Sequence, residues 1–284
     1  MLNSVHGPIF AAVAVLLLLL WAPAARSRPS AYWTAFLAAV AFGGVIEFLQ
    51  SFQGRPPSWF DMMTDTAGAS AGLALWALLD RRRSLAFRPG HPEGPWLPIA
   101  IALAGIIFVA WPPLQAARAY AHRHAVFPSI AEFRGPQDLA FVTTSGTAVD
   151  IVPLPAPWAQ GPDDRALRIA YDDKHSPSVQ VVEPTRDWRG YSLVAVDLTN
   201  SSPNELTLTF RILDAAHDWS HEDRLNLPLR IPPNTRTTVR VALSAVEAAP
   251  EHRRMDLARI ANVMLFGGET ALPGEVYVSR IWLE

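Results

Sequence analysis

Acidic side chains set in apolar surroundings are the first feature of this sequence that could do chemistry. Glu47 and Gln50 interrupt an apolar run over 31–52, and Asp61 and Asp65 open another over 60–79. Gly43, Glu47 and Gln50 are spaced i, i+4, i+7 and share a helical face, and Asp61, Asp65, Gly68 and Gly72 repeat that kind of spacing. Glycines let a neighbouring helix approach closely, so the acids fall on the stripe that packs. The link between the runs is short and stiffened by Pro56 and Pro57, so the two stripes are expected to face each other as an antiparallel pair. A carboxylate at the centre of a membrane helix costs roughly 2.5–3.5 kcal/mol and normally serves a function. With a rise of about 1.5 Å per residue, Glu47 and Asp65 sit roughly 5–10 Å inside the ends of their helices. His6 comes at a similar height. The candidate polar site is therefore His6, Glu47, Gln50, Arg55, Asp61 and Asp65. Three acids against one arginine leave negative charge in excess, which calls for a protonated carboxyl or a bound cation. The plainer alternative makes Asp61 a helix N-terminal residue favoured by the helix dipole and paired with Arg55. Glu47 and Gln50 lie too deep for capping.

A second constellation lies in a polar stretch around Trp219, with Asp218, His221, Asp223, Arg224 and Asn226 within a few residues. An aromatic face beside planar hydrogen-bonding groups is the chemistry that holds a pyranose ring. Trp188 and Tyr191 form a second aromatic pair with the same capacity. Core positions for Trp188 and Tyr191, and a structural Asp223–Arg224 ion pair, are the alternatives. The acidic pairs Asp163-Asp164 and Asp172-Asp173 could join a structural Ca²⁺ site of the oxygen-ligand type, or simply be solvated loops. No cofactor is otherwise implied: there is no phosphate-binding glycine loop, nucleophile elbow or HExxH motif. The absence of cysteine excludes disulfides, thiolate metal sites and cysteine nucleophiles.

The elements that must position these groups divide the chain in two. Of its 284 residues 50% are hydrophobic and 18% charged, against about 25% charged in ordinary soluble domains. Up to Arg118 there are 8 arginines and 5 acids, and the remainder holds 16 basic and 21 acidic residues. No basic patch suited to nucleic acid is visible. Four apolar runs, 8–25, 31–52, 60–79 and 96–114, each approach the roughly 20 residues that cross a bilayer. The first lacks a basic leader and is followed closely by further runs, so it reads as a retained span. Arg26 and Arg28, then Arg81, Arg82, Arg83 and Arg88, place the loops after the first and third spans in the cytoplasm. The amino end, the Arg55 loop and everything after the fourth span are then outside.

From about Tyr120 the pattern becomes that of short strands. Leu206, Leu208, Phe210 and Ile212 alternate with Thr207, Thr209 and Arg211, and Val239, Val241 and Leu243 alternate likewise. Runs at 141–152, 166–171, 179–182, 192–198, 225–231, 260–266 and 276–283 are also strand-like, separated by Pro, Gly, Asp and Asn clusters. Such patterning predicts an antiparallel sandwich. The expected fold class is a two-domain α + β chain. A bundle of about four transmembrane helices at 1–115 is followed by a stalk at 116–138 and a β-sandwich of jelly-roll type at 139–284.

Two resemblances add to this reading. The order Glu47-x-x-Gln50, Gly54-Arg55, Asp61, Gly68 and Gly72, with His6 ahead of an apolar span, resembles the VanZ-like family of bacterial multi-pass membrane proteins. The likeness covers roughly residues 3–80. The family usually has Asn where this chain has Asp65, and carries a further span and a basic residue ahead of the histidine. This chain begins beyond those, through a misassigned start or a genuine shortening. The resemblance implies a multi-pass topology, a polar site and a link to glycopeptide resistance, without an assigned reaction. The second part is similar to the galactose-binding-like jelly rolls of carbohydrate-binding modules, over about residues 139–284. Trp188-Arg189-Gly190-Tyr191, the strands at 193–198 and 206–214, the run from His217 to Asn226, Asp256–Ile260 and the closing strand to Trp282 carry that likeness.

The resulting expectation is a bacterial cytoplasmic-membrane protein with an extracytoplasmic sandwich. Its partners would be the lipid bilayer and an envelope or lipid-linked glycan. The polar site would engage a headgroup, with Arg55 suited to phosphate, and the sandwich would hold the sugar. Two alternatives stay open: a membrane hydrolase or transferase using Glu47 or Asp65 as general base, and helices that merely anchor a sugar-binding module.

Overall fold

A computed structural model describes residues 6–21, 29–52, 58–80, 96–171, 178–185, 187–267 and 274–284. The chain forms two compact units, Met1–Ala116 and Ala117–Glu284. The first contains α1 (His6–Trp21), α2 (Pro29–Ser51), α3 (Trp59–Leu79) and most of α4 (Trp96–Val126). Ser58 starts α3: its hydroxyl accepts the Asp61 N–H at 3.2 Å, which satisfies one of the open donors of the first turn.

Side-chain size in this unit runs opposite to that of a soluble helical core. The buried positions are mainly small, such as Ala14, Ala35, Ala39, Ala69 and Ala71, joined by Glu47, Asp61, Thr64 and Asp65. Apart from Trp219, every exposed large hydrophobic side chain among the described residues lies between Ile9 and Leu114. The α3 glycine stripe does not face α2 as expected. It packs on α1, where a β-carbon at Gly68 would stand 2.1 Å from the Gly7 carbonyl oxygen, and one at Gly72 would stand 2.5 Å from that of Ala11. Backbone meets backbone there, and the spacing that marks a packing face does not say which helix fills it.

The second unit is an antiparallel sandwich. Its strands are β1 (Ser129–Ala131), β2 (Val142–Ser145), β3 (Val149–Pro153), β4 (Arg165–Tyr171) and β5 (Ser178–Val182). They continue with β6 (Leu193–Asn200), β7 (Leu206–Asp214), β8 (Leu225–Ile231), β9 (Thr235–Ala242), β10 (Ile260–Gly267) and β11 (Gly274–Leu283). One sheet runs β3-β4-β11-β6-β9, with β1 also on β11, and the other runs β2-β5-β10-β7-β8. Period-two patterning builds the core: in β7, Leu206, Leu208, Phe210, Ile212 and Asp214 are buried while the residues between them are not. Burying each such apolar side chain contributes about 1.5–3 kcal/mol. Two short helices, α5 (Pro136–Leu139) and α6 (Leu243–Glu247), complete the unit. The segment 116–138, expected as a stalk, comprises the end of α4, β1 and α5, and β1 pairs with β11.

Candidate functional site

Period-two alternation brings Asp214 to the inward face at the end of β7, where a bare carboxylate cannot stay. Arg253, in the segment between α6 and β10, meets it with a bidentate pair at 2.6 and 2.7 Å, and the Asp256 N–H donates to it at 2.7 Å. The same guanidinium donates to Asp223, through Nε and through Nη2 at 2.9 Å. Asp223 in turn accepts the Asp218 N–H at 2.9 Å and lies 3.3 Å from His217 Nδ1. Asp218 accepts the Ser220 N–H at 2.8 Å. A loop of ten residues between β7 and β8 is thus tied at its base by one arginine and two carboxylates.

At the tip of that loop stands Trp219, 84% exposed, with a φ of 72°. A bulky residue in the left-handed region is strained by about 1–3 kcal/mol, and the surrounding ties must hold it there. Its ring lies 5.6 Å from that of His217. The tip therefore offers an aromatic face held out of the fold, flanked by the exposed Asp218 and His221. The remaining groups expected in this site have other duties. Asp223 is buried in the arginine network, and its ion partner is Arg253, not Arg224. Asn226 accepts from Arg211 at 2.7 Å and donates to the His221 carbonyl at 3.3 Å. Arg224 is half-buried.

Of the expected aromatic pair, Trp188 lies in the core and Tyr191 is half-buried beside it. Trp188 is 0% exposed and donates its indole N–H to the Thr185 carbonyl at 2.7 Å. Tyr191 packs edge-on against Phe127 beside the core, with centroids 5.5 Å apart. A fully buried indole such as that of Trp188 has no face to offer a ligand.

Hydrogen bonding from Arg253 holds the Asp223 carboxyl at about 2. Burial pushes Asp214 up, but the bonds from Arg253 and Asp256 bring it below its ordinary value. A carboxyl whose folded pKa lies below its unfolded value near 4 stabilises the fold at neutral pH and ceases to do so as pH falls through the folded value. The urea midpoint of the detergent-solubilised chain should be flat from pH 7 to about 5 and fall steadily between about 4 and 2. A midpoint that rises across that acid window would contradict the network.

His217, Asp218 and Asp223 are the one group among the described residues that brings three ligating side chains within 4.8 Å. Asp223 is already neutralised by Arg253, so the set fits a structural network better than a cation site. Asp164 is likewise engaged, by Arg236 at 3.1 Å and the Gln160 N–H at 3.1 Å. Asp172 and Asp173 lie outside the described residues.

In the helical unit, His6 Nδ1 lies 3.1 Å from Asp65 Oδ1, joining α1 to α3. A β-carbon at Gly43 of α2 would come 2.9 Å from Asp65 Oδ2, so the missing side chain there makes room for the carboxylate. Glu47 Oε2 accepts the Ser58 N–H at 2.8 Å, while its Oε1 is buried with no hydrogen-bond partner among the described residues. Glu47 therefore reaches the start of α3 across the hairpin, a tie its depth in α2 had argued against. Asp61 is buried in the first turn of α3, and Gln50 is half-buried on α2. Arg55, Arg26, Arg28, Arg81, Arg82, Arg83 and Arg88 lie outside the described residues. Among the described residues two helices, Ser30–Ser51 and Trp96–Val126, are long and apolar enough to cross a membrane, and His6–Leu20 is a shorter apolar helix.

Consecutive strands of the second unit pass repeatedly between its two sheets, the arrangement of a jelly-roll sandwich. Similar folds include a family 11 carbohydrate-binding module from Clostridium thermocellum in complex with a β-1,3-1,4-mixed-linked tetrasaccharide (13% identity, 55% of this chain and 93% of that one, TM-score 0.40). An exo-β-agarase matches at 13% identity, over 55% of this chain and 24% of that one, with a TM-score of 0.44. A CBM28 module specific for non-crystalline cellulose matches at 13% identity, over 56% and 94% of the two chains, with a TM-score of 0.38. What those proteins bind is a property of their own surfaces. No protein-family model and no curated protein matches the chain.

Proposed function

We propose that the chain is a membrane-anchored glycan-binding protein whose sandwich takes a sugar on the Trp219 loop. The observation that carries the reading is the exposure of Trp219, 84%, on a loop braced from below by Arg253. A soluble domain gains nothing by holding an indole in water in a strained backbone conformation. A ligand that stacks on it and bonds to Asp218 and His221 accounts for both features.

The anchoring half rests on the helical unit, where large apolar side chains face outward and small or acidic ones inward. Lipid, not water, is the solvent suited to that surface. In this reading the helices lie in a bacterial cytoplasmic membrane with the sandwich outside. The buried carboxylates around Glu47 then meet the headgroup of a lipid-linked glycan. The hydrolase alternative would have to draw its general base from Glu47 or Asp65, whose carboxylates are tied to the Ser58 N–H and to His6.

The test is Trp219→Ala in the full chain, reconstituted in nanodiscs and measured by titration with cell-envelope glycan fragments. Binding should fall by about tenfold or more, the loss expected for a stacking aromatic at the centre of a site. The unfolding midpoint should not drop, since the exposed ring supports no core contact. Unchanged affinity, or no binding by the parent protein, would overturn the proposal.

A further inference from the structure

The outer face of the six-stranded sheet carries a cleft of about 500 Å³ that shares no residue with the Trp219 loop. That volume lies within the range of about 300–1,000 Å³ common for ligand clefts. Its floor follows from strand alternation: β6 sends Val194, Val196 and Leu198 to the core, and so presents Asp197 on the opposite face. Arg236 of β9 grips Asp197 at 2.7 Å.

One wall is the 154–164 loop, closed on itself by a bond from the Leu154 N–H to the Asp164 carbonyl at 2.9 Å. Arg236 fastens that loop to the sheet, reaching the Trp158 carbonyl at 2.7 Å and Asp164 at 3.1 Å. Trp158 adds an apolar anchor against Leu154, Ala166 and Tyr277. The cleft is therefore preformed, with a wall that need not be ordered when something binds.

Two features point to an occupant. Pairing between β11 and β6 steps from Val278↔Leu198 to Arg280↔Asp197, which leaves Ser279 as the extra residue of a bulge. Bulges commonly re-aim a side chain beside a site. The Ser279 hydroxyl lines the cleft, is buried, and has no hydrogen-bond partner among the described residues. A buried hydroxyl left unpaired is costly unless a ligand or water completes it. Close by, Trp282 supplies an aromatic surface, with the Arg280 guanidinium 5.2 Å from its ring centroid.

Four arginines and four carboxylates line the cleft, so it carries no net charge. Arg236 is already committed to two of those carboxylates, which disfavours an anion, and the same pairing disfavours a cation. What remains is a balanced set of planar polar groups, an unfilled hydroxyl and an indole, the chemistry that receives an uncharged polyhydroxylated ring. We infer that this cleft is a second saccharide site, taking a short neutral oligosaccharide independently of the Trp219 loop.

The experiment titrates the full chain in nanodiscs with cellotetraose, laminaritetraose, maltotetraose and chitotetraose, using calorimetry and saturation-transfer NMR. The Trp219→Ala protein should still bind at least one of them. Adding Ser279→Ala should weaken that binding by about tenfold, the loss carried by one hydrogen bond. The unfolding midpoint should hold or rise, because the hydroxyl serves no partner among the described residues and its removal relieves a buried unpaired group. Trp282→Leu should weaken it at least as much. Binding that persists unchanged through both cleft substitutions would overturn the site, as would a Trp219→Ala protein that binds none of the four sugars. If Ser279→Ala removes all binding while Trp219→Ala removes none, the cleft stands and the loop reading fails.

Discussion

Replacing Arg253 by alanine is expected to destabilise the sandwich by about 3–5 kcal/mol, the usual cost of removing one partner from a buried ion network. The Asp214 side chain is 0% exposed and sits in phase with Leu206, Leu208, Phe210 and Ile212, so it cannot turn to solvent without unravelling the end of β7. Backbone N–H groups of Ala216 and Asp256 would remain, at 3.3 and 2.7 Å, but neither carries a compensating charge. Urea unfolding of the solubilised chain, followed by tryptophan fluorescence, reads the change. Adding Asp214→Asn should recover part of the loss, since a neutral amide needs no counter-charge. The Arg253→Ala protein should also show a flatter acid limb, because Asp223 then titrates nearer its ordinary value. A loss under about 1 kcal/mol would mean that the backbone donors alone satisfy Asp214.

Gly68→Ala is expected to prevent α1 and α3 from packing. The added carbon would stand 2.1 Å from the Gly7 carbonyl oxygen and 2.7 Å from its carbonyl carbon, and every one of those neighbours is backbone. Overpacking costs about 1–3 kcal/mol when side chains can shift, and here no rotamer offers relief. The intrinsic preference of a helix for Ala over Gly runs the other way, by up to about 1 kcal/mol, so any loss is seen against an opposing background. Gly44→Ala supplies the comparison, since a β-carbon there meets nothing within 4 Å. The thermal aggregation midpoint in detergent should fall sharply for Gly68→Ala and hold or rise for Gly44→Ala. Equal midpoints would show that the two helices do not meet along this stripe.

Period two made the sandwich legible: the alternating run at 206–212 lies in β7 and that from Val239 in β9, although Leu243 at its end opens α6, and the strand-like run at 260–266 is β10. The single run at 141–152 proves to be two strands, because Gly146 turns the chain at a φ of 68° and lets β2 and β3 enter different sheets. β1 escaped notice because three buried residues, Ser129 to Ala131, show no alternation. Around the candidate site, Trp219 was readable as an indole in a polar stretch. Arg253 was not, since nothing local joins it to Asp214. The signal was present all the same in Asp214 itself, a carboxylate in register with four core residues. Trp188 shows the reverse limit. Its neighbours in sequence resemble a binding motif, while its full burial and the Thr185 carbonyl under its indole mark a core residue. In the helices, spacing identified the acidic stripe and the close height of His6 and Asp65, but could not choose α1 over α2 as the glycines' neighbour.

The short strand β1 lies against β11, with Ser129 opposite Trp282, and β11 runs between β4 and β6. The earliest and latest segments of the sandwich are thus bedfellows, and its middle ladder waits for residues more than a hundred positions downstream of β1 to be synthesised. Such long-range closure makes for slow assembly. A ribosome stalled before Gly274 would release raw strand edges, open to aggregation, and not a smaller working domain.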